Sequence, residues 1–173
     1  MKILRNLFIS ILLILLLCNC SQHRSEKEFL DKYEYEDFSQ FKGTGIYIRD
    51  LDSLGNPMIL VYAPHLIYDT SKVGAYGIII NKKNYKVIDS KWTLTENYVD
   101  ADTVKLQHLA QTFMKYDVPH LKVDTVGNVF IYLKDVETLA LVRFANDNEM
   151  LKRSKEYTWK KIKNRDNWYK PKR

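Results

Sequence analysis

Asp100-Ala101-Asp102-Thr103-Val104-Lys105-Leu106-Gln107-His108-Leu109-Ala110-Gln111-Thr112-Phe113-Met114-Lys115 decides the fold. Val104, Leu106, Leu109, Ala110, Phe113 and Met114 recur at helical spacing and make a broad apolar stripe. Lys105, Gln107, Gln111 and Lys115 take the opposite side. Asp100 or Asp102 can accept the orphan amide hydrogens of the first turn, and Pro119 ends the segment. A single helix of this length must bury its stripe against something. Its neighbours on both sides read as strands.

Before the helix, residues 44–49 set Ile46 and Ile48 against Tyr47, and 52–57 are rich in turn residues. Residues 58–62 then form a short apolar strand. Two related segments follow. Pro64-His65-Leu66-Ile67-Tyr68-Asp69-Thr70 leads through Val73-Gly74 to 76–80. Pro119-His120-Leu121-Lys122-Val123-Asp124-Thr125 leads through Val126-Gly127 to 129–133. Each is followed by a polar turn and a further strand, 85–93 and 138–144. This is the pattern of a duplicated three-strand meander, or of two segments meeting the same turn chemistry. The fold class is α+β: an antiparallel sheet, built of two β-meanders on the first of those readings, with one principal amphipathic helix across a face. In the tail, a turn or short helix is expected near 147–153 and a closing strand at 156–163, with Trp168 and Tyr169 packing back as a clasp.

The first twenty residues decide location. Lys2 and Arg5 form a basic head, and Leu7 to Leu17 is apolar except for Ser10. A membrane-spanning helix needs about 20 apolar residues, so this run is short for one and has the length of a secretory leader. It ends in Leu17-Cys18-Asn19-Cys20, which resembles the lipobox of bacterial lipoproteins, although that pattern usually has Gly, Ala or Ser where Asn19 stands. The resemblance implies cleavage before Cys20, lipid on Cys20, and attachment to the membrane through that lipid. Ser21 after the cysteine implies the outer membrane where the cell has one. The layout is then a signal peptide over 1–19, a lipidated N-terminus and polar tether over 20–42, and one domain over 43–173. The tether carries one helical stretch, around residues 26–38, with Phe29, Leu30 and Tyr33 on one side. Twenty extended residues reach about 65–70 Å, enough to hold the domain clear of the bilayer.

Composition narrows the function. Cys18 and Cys20 are the only cysteines, so a lipidated Cys20 leaves the domain without a thiol for a disulfide, a nucleophile or a metal. From Cys20 to Met150 there are 15 basic and 19 acidic residues; from Leu151 to Arg173 there are ten basic and two acidic. Such a tail suits anionic headgroups or an acidic partner, and nucleic acid is not expected outside the cytoplasm. The sequence contains no Gly-x-Ser-x-Gly elbow, no phosphate-cradling glycine loop and no His-Glu-x-x-His helix, and no cofactor is implied.

Three functions compete. The first is a non-enzymatic envelope protein binding a protein partner, as an immunity factor or an accessory of an envelope assembly. Its contact candidates are Trp159, Lys160, Lys161, Trp168 and Tyr169, because aromatic residues beside basic ones are enriched at interfaces. The second binds a glycan or small ligand on aromatic rings. The third is a metal-dependent hydrolase on His65, His120, Asp69 and Asp124. Histidine and carboxylate suit a metal, but their spacing matches no zinc signature.

Overall fold

The structure is a computed structural model and describes residues 25–68, 75–92, 101–155 and 157–172. The lipobox with Cys20, the helix-cap candidate Asp100, Asp69 and the first Val-Gly pair lie outside the described residues.

One antiparallel sheet carries the fold. Its strands are β1 (Thr44–Leu51), β2 (Pro57–Tyr62), β3 (Tyr76–Ile80), β4 (Val87–Trp92), β5 (His120–Val123), β6 (Val129–Tyr132), β7 (Leu139–Arg143), β8 (Trp159–Lys161) and β9 (Trp168–Pro171). Their spatial order is β4-β3-β2-β1-β5-β6-β7-β9-β8. The chain runs as a meander from β1 outward to β4. It crosses back over one face and resumes at β5 beside β1, running outward the other way. β9, at the chain end, slots between β7 and β8.

Three α-helices are present among the described residues, α1 (Glu26–Tyr33), α2 (Thr103–Phe113) and α3 (Asp147–Arg153), so the helix of the apolar stripe is one of three. α2 is the crossing element and packs on β2 and β3. Asp102 caps it, its carboxylate accepting from the Lys105 amide at 2.9 Å. Leu106, Leu109, Ala110 and Phe113 are buried, as their spacing requires. Val104, counted in the same stripe, is 78% exposed. It sits in the first turn, beside the exposed Lys105.

The N-terminal stretch departs most from the tether reading. Ser25 and Glu28 form a reciprocal capping box, with the Glu28 amide 3.2 Å from the Ser25 hydroxyl and the Ser25 amide 2.8 Å from the Glu28 carboxylate. Phe29, Leu30 and Tyr33 do share a side, but that side is buried in the main core with Phe38 and Phe41. Each such side chain contributes about 1.5–3 kcal/mol of burial. Polar bonds fix the same segment. The Trp168 indole N–H donates to the Glu34 carbonyl at 3.2 Å, and Arg143 donates to the Glu36 carbonyl at 2.8 Å. Arg165 pairs with both Asp31 and Glu34. Residues 26–41 are therefore part of the folded body.

The tail follows its expected outline. α3 and β8 occupy the anticipated places. Trp168 and Tyr169 form a strand inside the sheet, a firmer attachment than a clasp.

Over their described residues the two Pro-His-Leu segments take different forms. Pro64–Leu66 is a 3-10 turn, whereas His120–Val123 is strand β5. What recurs in geometry is Asp52-Ser53-Leu54-Gly55-Asn56 and Asp124-Thr125-Val126-Gly127-Asn128, the β1–β2 and β5–β6 turns. In both, one aspartate oxygen accepts from backbone amides, at 2.8 Å from Leu54 and Asn56, and at 2.9–3.0 Å from Val126, Gly127 and Asn128. The other oxygen accepts from the asparagine side chain, at 2.9 and 2.8 Å. Gly55 and Gly127 sit at φ of 73° and 107°, a region that favours glycine.

Candidate functional site

Alternation along each strand divides the sheet into two faces. Ile46, Ile59, Val61, Ile78, Leu121 and Ile131 point toward α1 and α2 and are buried. The opposite face is covered in only one half. There Phe130, Val142, Phe144 and Tyr169 form a second buried cluster, against which Met150 of α3 and Trp159 pack. The remainder, centred on β1, β2 and β5, opens onto a hollow.

That bare region is a groove of about 550 Å³ lined by Gly45, Tyr47, Tyr62, Pro64, His120 and Lys122, among others. Register explains the grouping. Tyr47 stands opposite Leu60 on β2 and His120 on β5, and His120 stands opposite Tyr132 on β6. Cross-strand neighbours on one face lie close enough for rings to touch. The His120 ring stacks on Tyr132 with centroids 4.1 Å apart and 14° between planes; it meets Tyr47 edge-on at 5.7 Å. The next row along the strands is Tyr62, Gly45 and Lys122. Gly45 is a floor without a wall: a Cβ built there would have nothing within 4 Å. Tyr62 is 43% exposed on one side of it and Lys122 is exposed on the other.

The charges of the groove follow from these surroundings. Burial pulls the His120 pKa below its ordinary value, the nearby Lys122 cation pulls the same way, and the Val136 carbonyl partly opposes them. His120 is therefore neutral near pH 7, with Nδ1 donating to Val136 at 2.8 Å. Lys122 lies 6.0 Å over the Phe130 ring and projects positive charge at the groove margin. Asp124, at the far end, is pushed upward by burial, but the Asn128 side chain and the Asn128, Gly127 and Val126 amides outweigh that and lower its pKa. Its outer oxygen also accepts from Arg153 at 2.8 Å. The groove thus offers aromatic rings, a gap and a lysine cation.

The sequence candidates fall in different places. His120 and Asp124 border one groove, and Pro64 brings His65 near: the His65 Nδ1 is 3.2 Å from where a Cβ on Gly43 would be. They do not form a ligand set, because both oxygens of Asp124 serve its turn and Arg153. Among the described residues, no group of three His, Cys, Asp or Glu side chains is placed to hold a metal ion. Trp168 is fully buried in the main core and Tyr169 lies in the second cluster, so neither presents a contact surface. Trp159 is partly buried, 5.3 Å edge-on to Phe144. Lys160 and Lys161 are exposed on β8, at the sheet edge.

Sequence reasoning passed over Gly45, Tyr47, Tyr62, Lys122 and Tyr132. A signal was available in β1, where the positions alternating with Thr44, Ile46 and Ile48 are Gly45 and Tyr47. Comparison with protein-family models, with curated proteins and with solved structures finds no match for this chain. No helix among the described residues is long and apolar enough to cross a membrane.

Proposed function

We propose that this chain is a non-enzymatic, lipid-anchored protein of the bacterial envelope, held at the outer membrane by acyl chains on Cys20, whose bare sheet face binds a protein partner. The observation that carries the binding reading is Gly45. Glycine inside a strand costs roughly 0.5–1 kcal/mol relative to alanine through lost chain entropy. At Gly45 no steric need offsets that cost, since a side chain there would meet open space. A position left empty at the centre of an aromatic groove is what an inserting side chain of another molecule requires. Tyrosine is one of the residue types that carry most of the energy at protein interfaces. Lys122 selects for a carboxylate on the partner, set beside a small apolar group that enters over Gly45. An immunity factor or an assembly accessory uses a domain in this way.

The test is Gly45→Val, assayed by urea unfolding and by co-purification from native envelopes. Stability stays level or rises, because valine suits a strand, while the co-purified partner is lost. A partner retained in full by a folded Gly45→Val protein contradicts the reading.

The stacked His120–Tyr132 pair supports a second reading, a glycan platform. A rise in melting temperature with any member of a sugar panel, abolished by Tyr47→Ala, favours it over the first.

A further inference from the structure

A second, larger hollow of about 990 Å³ lies where the chain enters the fold. Ser25, Lys134, Lys160, Lys170, Pro171 and Lys172 are among its lining residues. Lys134, Lys160 and Lys172 are exposed. Lys170 pairs with Glu26 at 3.0 Å, and Glu26 is the acidic residue in the lining. Lysines distant in sequence are gathered here because β9 inserts beside β8 and brings the last residues next to the start of α1.

The position of Ser25 gives this cluster its meaning. α1 begins at Glu26 and its first buried side chain is Phe29, so the described body of the domain starts at Ser25. Five residues from Cys20 to Ser25 span at most about 17 Å. A lipid on Cys20 therefore keeps this end of the domain within that reach of the headgroups. The Debye length at physiological salt is about 8 Å, so only charges brought that near gain from an anionic surface. The lysines around Ser25 share its hollow and are the charges such an anchor brings nearest to the surface.

We propose that this lysine-bearing end of the domain rests on an anionic phospholipid surface and acts as a second membrane signal beside the acyl anchor. It rests on the lipid-anchor reading given above. Acyl chains supply residence, and a basic patch supplies preference for anionic leaflets and a fixed orientation. The opposite strand ends, where Lys42 precedes β1 and residues 124–128 join β5 to β6, are turned away from that surface.

Amine-reactive footprinting of the full-length lipidated protein tests this. The protein is reconstituted in phosphatidylcholine vesicles and in the same vesicles doped with phosphatidylglycerol. Modification of Lys134, Lys160 and Lys172 falls roughly threefold or more in the doped vesicles, and high salt restores it. Lys42, exposed at the opposite strand ends, changes in neither. A Lys134→Glu/Lys160→Glu/Lys172→Glu variant loses the lipid dependence at its remaining patch lysine, Lys170. Equal modification in both vesicles, on protein whose intact mass shows acylation, overturns the patch alone. An intact mass without acyl chains overturns the anchor and the proposal with it. Equal protection by free inorganic phosphate identifies an anion site and overturns the lipid surface.

Discussion

Asn128→Ala provides the sharpest test of how the two turns hold the sheet. Asn128 is fully buried. Its Nδ2 donates to Asp124 at 2.8 Å, and its Oδ1 accepts from the Ala145 amide at 2.9 Å, joining the β5–β6 turn to the chain leaving β7. Alanine removes a hydrogen bond to a charged carboxylate, worth about 1.5–3 kcal/mol, and strands a shielded amide, costing about 1–3 kcal/mol more. These effects overlap, and we predict a loss of about 3 kcal/mol, a large share of the roughly 5–15 kcal/mol usual for a domain. The equivalent Asn56→Ala is milder. Asn56 donates to Asp52 at 2.9 Å, but its second bond, from the Lys82 amide, is long at 3.3 Å and leads to an exposed turn. About 1–2 kcal/mol is expected there. Urea unfolding followed by tryptophan fluorescence measures both. An Asn128→Ala protein within about 0.5 kcal/mol of the parent, or an Asn56→Ala protein equally damaged, refutes the reasoning.

Phe29→Ala should cost about 3–5 kcal/mol in the same assay, because Phe29 is fully buried, 6.2 Å edge-on to Trp168. A near-neutral effect would restore a free tether. His120 predicts acid sensitivity. Its folded pKa is depressed, so the unfolded chain takes up the proton first, and stability falls as pH drops through about 6.5 toward the folded value. His120→Gln should flatten that fall, and an unchanged slope between about pH 7.5 and 5.5 would count against a buried neutral imidazole.

Much of the fold was legible because its signals are local. The α2 stripe, the Asp102 cap and the alternation in β1 each need only a few consecutive residues. The position of β9 was not legible. It pairs with β7 through Trp168 and Tyr169, some 25 residues later in the chain, and nothing near Trp168 names its partner. The 20–42 stretch misled for a related reason. Its many charges read as solvated, yet three apolar residues per two turns suffice to dock a helix when aromatic partners such as Tyr116 and Trp168 arrive from far along the chain. The site was missed because attention fell on residue types that do chemistry. Pro-His-Leu drew notice to His65 and His120, and only His120 faces the groove with rings around it. The tail aromatics were taken as a surface, whereas burial spends Trp168 and Tyr169 on the core. Gly45 carries no reactive group; the alternation of β1 marks its face, and the register that sets it between Tyr62 and Lys122 shows its use.

The central claim is that the bare sheet face is occupied by a partner in the envelope. A photo-reactive phenylalanine analogue at Tyr62, in cells carrying the full chain, tests it most directly. The account predicts one discrete crosslinked protein, abolished by Lys122→Glu and not produced by the same analogue at Val104, which is exposed on α2 over the other face. Crosslinking that is equal from both positions, or none from Tyr62, would contradict it.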